Sequence, residues 1–199
     1  MVNYPFELSR RDSNESKYWI KSTVDIAVSI LNNRINSKNL FTEKEFKINE
    51  NITRELLGRN IWKFSEAYGK FKGCPFWSVN AYNHYLNLKK QKKTKIERDK
   101  LLRHEHIYPQ IKLIKKMKEL SKPNTKIIKD LFYKYAIATV VTKVENDNLN
   151  KLGLRTETPS DTNIWLRYQK ARIFIKKNTL HNDFFKIHEK DIEAAGILK

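Results

Sequence analysis

The sequence holds a single cysteine, Cys74, and only five glycines and five prolines among 199 residues. One thiol forms no disulfide within the chain and supplies no cysteine-based zinc site, which fits a reducing compartment. So few glycines and prolines disfavour a turn-rich β fold and favour helices. No stretch approaches the ~18 consecutive apolar residues of a membrane-spanning helix. The opening residues, MVNYPFELSRRDSNES, lack the apolar segment of a secretory signal. A soluble, cytoplasmic protein with no membrane partner is the expectation. Acidic residues are scarce too: 22 Asp and Glu stand against 40 Lys and Arg, a formal net charge of +18. Surface pairing cannot neutralise that surplus, so it projects a positive field whose usual partner is a polyphosphate, DNA or RNA. Hydrophobic residues at 40% and aromatics at 12% suffice for a core, which excludes a disordered basic tail.

With long apolar runs missing, periodicity carries the fold. Beyond an irregular arm at 1–15, the spacing of Ile20, Val24, Ala27, Leu31 and Ile35 predicts a helix over 17–36, its apolar face widened by Trp19, Ile26 and Ile30. Thr42 and Glu45 form a capping box at the start of a short second helix. A third segment begins at Asn51, and Gly58 interrupts it. Trp62, Phe64, Tyr68 and Phe71 cluster before the break at Gly73-Cys74-Pro75. Trp62, Phe64, Tyr68 and Trp77 have the chemistry to stack on bases, but the expectation is that they are core. Ser78 caps a helix through Leu86. Pro109 starts a basic amphipathic helix, in which Ile111, Leu113, Ile114 and Met117 alternate with Lys112, Lys115, Lys116 and Lys118. A helix follows at 126–133. The segment 135–141 is short, β-branched and uncharged, the best strand in the chain. Thr142 and Glu145 form a second capping box, and Gly153 stands where a helix-ending glycine belongs. Further helices open at Ile164-Trp165 and near Asp191. The fold class expected is mainly α with a small β element. The regions expected are a helical support or recognition region at 1–98, a catalytic region at 99–155 and a helical region at 156–199.

His84, His181 and His188 stand alone and read as surface or core residues. His104 and His106 flank Glu105 and precede Ile107-Tyr108-Pro109. The strand at 136–141, the Thr142 cap, and Asn146 and Asn150 four apart on one helical face follow. Together these residues resemble the HNH, or ββα-metal, endonucleases over about 101–153, a quarter of the chain. The resemblance implies that Glu105 binds a metal and that His106 is the general base. Asn146 then takes the first helical ligand position, and Asn150 takes the second or contacts a metal-bound water. Phosphodiester hydrolysis needs a proton acceptor near neutrality and a Lewis acid. A carboxylate with amide oxygens favours Mg²⁺ or Mn²⁺ over Zn²⁺. If the strand ends near Glu105, that residue and His106 can converge. If it continues, alternation puts His104 and His106 on one face, so that His104 becomes the candidate ligand or the run is structural.

The phosphate contacts expected are Lys89, Lys90, Lys92, Lys93, Lys95, Arg103, Lys112, Lys115 and Lys116, which flank this segment. The expected function is a metal-dependent DNA endonuclease of a restriction or mobile-element system. A homodimer would cut both strands of a duplex, although no sustained heptad marks an interface. One alternative is a non-catalytic basic regulator, or a phage protein acting against a nucleic-acid-handling defence enzyme. Another is a metal-free ribonuclease with His104 and His106 as its acid–base pair.

Overall fold

A computed structural model describes residues 13–178 and 182–199. His181 and most of the arm expected at 1–15 lie outside them. The described residues are mainly helical with one four-stranded sheet.

Two long helices, α1 (Ser13–Ser37) and α2 (Glu43–Ser65), pack together. Ile20, Val24, Ala27 and Leu31 form the buried face of α1, as their spacing predicts. Polar bonds tie the pair in antiparallel order. Ser16 donates to the Ala67 carbonyl at 3.2 Å, Trp19 to Lys63 at 2.7 Å, and Asn60 to Thr23 at 2.5 Å. The Thr42–Glu45 capping box starts α2. The interruption expected at Gly58 is absent, and the two segments expected there are one helix. A mid-helix glycine costs about 1 kcal/mol, whereas burying Leu57, Ile61 and Phe64 returns about 1.5–3 kcal/mol each.

After the break at 73–75 come β1 (Phe76–Ser78), α3 (Val79–Lys90), the short α4 (Lys95–Lys100) and β2 (Leu102–His106). Next are α5 (Gln110–Lys118), which follows Pro109 directly, and α6 (Thr125–Tyr135). The chain then forms β3 (Ala138–Thr142), α7 (Lys143–Lys151), α8 (Leu166–Lys170), β4 (Ile175–Lys177) and α9 (Asn182–Ala194). Strand β3 begins later than expected because α6 extends to Tyr135. The strand order is β2-β3-β1-β4. β2 runs antiparallel to β3, with Leu102 opposite Thr142 and His106 opposite Ala138. β1 is parallel to β3, and β4 is antiparallel to β1. Each of the three expected regions thus contributes a strand to one sheet, and their boundaries do not divide it.

Glu145 fastens α7 to the sheet. It closes the capping box with Thr142, accepts a hydrogen bond from Ser78 Oγ at 2.6 Å and one from Asn80 Nδ2 at 3.0 Å, and is buried. Gly153, at φ +71°, occupies the left-handed turn that ends the helix.

Candidate nucleic-acid interface

Strand β2 continues through His106, so alternation sends His104 and His106 to one face and Glu105 to the other. Both Glu105 oxygens are engaged. One pairs with Arg167 Nη2 at 3.0 Å, and the other accepts the Tyr168 hydroxyl. Arg167 is fully buried and also donates to the carbonyls of His106, at 2.8 Å, and Leu154. Burial pushes the Glu105 carboxyl up, against the pull of the Arg167 charge and the Tyr168 bond. The side chain proposed as a metal ligand is therefore the half-buried carboxylate of a structural ion pair whose guanidinium lies inside.

On the opposite face the His104 and His106 rings lie 5.9 Å apart and both abut the Trp62 ring, at 5.1 and 5.2 Å between centroids. Nδ1 and Nε2 of His104 and Nε2 of His106 are sealed from solvent without a well-formed hydrogen bond. The Ser65 backbone lies close enough to favour the His104 cation slightly. Burial dominates, lowering His104 to about 3 and His106 to about 4, with repulsion from His106 acting on the first and from Arg167 on the second. Such imidazoles stay neutral near pH 7; His104 is closed to any water or substrate proton, and the half-buried His106 is closed to it at Nε2. This corrects the acid–base pair expected for the ribonuclease, in which His104 is one member, and leaves His106 without Nε2 as a base.

On α7, Asn146 is half-buried and Asn150 is exposed. Among the described residues no group of three or more His, Cys, Asp or Glu side chains is placed to hold a metal ion. With Glu105 committed to Arg167 and Tyr168, the residues at hand do not fit Mg²⁺ or Mn²⁺. The order β2-β3-α7 does follow the strand–strand–helix sequence of the ββα motif, with α5 and α6 between the two strands.

The cations expected at phosphate divide into two groups. Lys89, Lys90, Lys92 and Lys93 are exposed at the end of α3 and the turn after it, where Lys93 also pairs with Glu97 at 3.3 Å. Lys115 is exposed on α5. The side chain of Lys95 lies outside the described residues. The other three have internal partners. Arg103 donates to the Lys100 and Leu102 carbonyls, Lys112 pairs with Glu157 at 3.0 Å, and Lys116 lies over the Tyr135 ring at 5.7 Å.

An open groove of about 700 Å³ runs between α2 and α5. Arg54, Gly58, Arg59 and Trp62 line its α2 side, and Gln110 and Ile111 line its α5 side. Arg54 and Arg59 are exposed and have no carboxylate partner among the described residues. Glu55 is the one acid on the wall; Lys63 also reaches it, 3.6 Å from Glu66. Gly58 leaves the space of a side chain open, and Gln110 Nε2 holds its carbonyl at 2.6 Å. The Trp62 ring is half-exposed, braced by the two imidazoles and by its Nε1–H bond to Glu66 at 2.9 Å. Sequence reasoning gave Arg54 and Arg59 no role and placed Trp62 in the core. The available signal was helical spacing: positions 54, 58 and 62 share one face only if the helix passes through Gly58.

No protein-family model, curated protein or solved structure matches the chain. Among the described residues no helix is long and apolar enough to cross a membrane.

Proposed function

We propose that the protein binds nucleic acid by charge, as a small basic regulator or as a phage protein that acts against a nucleic-acid-handling defence enzyme. The observation that carries this reading is the pair of unmatched arginines, Arg54 and Arg59, at an open groove in a chain of net charge +18. Unpaired surface cations release counterions from a phosphate backbone, which gives affinity without reading sequence. The exposed Lys89, Lys90 and Lys92 add a second cationic patch. Base-edge readout calls for donors and acceptors placed in a groove of the duplex, and the proposal invokes none.

Fluorescence anisotropy with labelled duplex and single-stranded oligonucleotides of unrelated sequence tests the reading. The expected result is binding to all of them, weakening steeply with salt and indifferent to EDTA. Absence of binding at low salt overturns it. Plasmid cleavage that needs Mg²⁺ or Mn²⁺ and stops with EDTA would return the endonuclease reading in its place.

A further inference from the structure

We infer that the α2–α5 groove is a seat for one base of a single-stranded nucleic acid, with Trp62 as its stacking surface and Arg54 and Arg59 on the flanking phosphates. This rests on the nucleic-acid reading above and narrows it to a substrate class. A duplex keeps its bases stacked and paired, so a helix-lined cleft meets only its backbone. A single strand offers an aromatic face at every nucleotide, and proteins that hold single strands combine a cationic track with aromatic platforms. Both parts meet here on one helix face. Arg54 and Arg59 provide the charge, and Trp62 provides the ring one turn beyond Gly58. The groove's volume of about 700 Å³ lies in the ~300–1,000 Å³ range of clefts that take small-molecule ligands. Ile111, 56% exposed on the opposite wall, supplies an apolar surface against which the second face of a base can rest.

The same reading gives the His-Glu-His run a purpose that needs no metal. A stacking platform works best when its ring is already fixed, because less freedom is lost on binding. His104 and His106 press on the Trp62 ring from strand β2, and Glu66 fixes its Nε1–H. The imidazoles are positioning residues. Glu105, facing the other way, locks the strand that carries them to Arg167. Gly58 is the opening itself, since any longer side chain there would enter the cleft beside Gln110.

The probes are oligo(dT), oligo(U), an abasic oligonucleotide of equal length and a duplex, each measured by anisotropy at one salt concentration. The abasic strand carries the same phosphates without bases. Wild-type protein is expected to bind oligo(dT) about tenfold more tightly than the abasic strand, the usual size of one lost stacking contact. Gly58→Leu retains every charge and puts a side chain into the cleft one turn from Trp62, so it should erase that preference while duplex affinity stays within about twofold. Trp62→Leu should do the same; because it also loosens the histidine packing, its folding is checked by circular dichroism, and Gly58→Leu decides alone if it unfolds. Oligo(U) bound more tightly than the abasic strand supports the seat as oligo(dT) does, and affinity for oligo(U) no greater than for the abasic strand counts against it. Equal affinity for oligo(dT) and the abasic strand, or a Gly58→Leu variant with its preference intact, overturns the base seat and leaves the charge reading standing. Failure to bind any of the four probes overturns the charge reading itself.

Discussion

Glu105 meets Arg167 across 3.0 Å, and the arginine side chain is 1% exposed. The pair joins β2 to α8, with the neighbouring Tyr168 holding the second carboxylate oxygen. The two charges hold each other, and the guanidinium also donates to the carbonyls of His106 and Leu154.

Removing the carboxylate strands the guanidinium in a dry interior. Glu105→Ala is therefore expected to lose about 3–5 kcal/mol of stability, read from the midpoint of urea denaturation. Adding Mg²⁺ should leave the wild-type midpoint where it is. A Glu105→Ala protein as stable as wild type would refute the structural role of the pair.

The buried histidines set an acid limit on the fold. In the folded chain His104 and His106 are lowered to about 3 and about 4, and His188 is lowered to about 4, in each case chiefly by burial. Unfolded, each takes a proton below pH ~6.5. Between those values the unfolded state holds more protons, so stability is complete above pH ~6.5 and declines as pH falls toward 4. The slope reaches up to about 1.4 kcal/mol per pH unit for each histidine. The raised Glu105 carboxyl has the opposite sign and blunts part of it. Denaturation free energies at about pH 7 and about pH 5 should differ by more than 1 kcal/mol, and His104→Gln/His106→Gln should reduce the difference to what His188 contributes. A wild-type stability that is level across this range would show that the imidazoles are not buried neutral.

Two glycines answer differently to alanine. A Cβ at Gly58 would sit 3.7 Å from the Gln110 side chain, an ordinary contact, in the interior of a helix. Gly58→Ala should gain about 0.5–1 kcal/mol, a rise of roughly 1–4 °C in Tm. At Gly73 a Cβ would overlap the Tyr68 carbonyl and come within 2.8 Å of the Gly69 nitrogen. Gly73→Ala should lower Tm clearly. Calorimetry on the two variants checks both, and equal effects would contradict the backbone geometry at the 66–75 turns.

The helices were legible because their signals are local. The α1 stripe at Ile20, Val24, Ala27 and Leu31, the boxes at Thr42 and Thr142, and Gly153 each act within a few residues. Strands β1 and β4 were not expected, and β2 only through the motif resemblance. β1 and β4 are three residues long, and β1 is buried throughout, so neither shows alternation. In β2 the polar string Arg103-His104-Glu105-His106 hides the period, since both faces are covered by partners distant in sequence: Trp62 on one, Arg167 and Tyr168 on the other. The same long-range partners decide the chemistry. Nothing near Glu105 in the sequence marks Arg167 as its counterion, so a motif reading could not see that the carboxylate is occupied. The lysine runs were legible as charge, but the groove was not, because it depends on α2 passing unbroken through Gly58 and on Gln110 crossing from α5.

The salt dependence of single-strand binding tests the central claim most directly. Log affinity for oligo(dT) against log salt concentration should be linear and steep for wild type. Arg54→Ala/Arg59→Ala should be shallower by about 1.4, the loss of two phosphate contacts on a single strand. An unchanged slope in the double variant would place the phosphate grip elsewhere and contradict the groove.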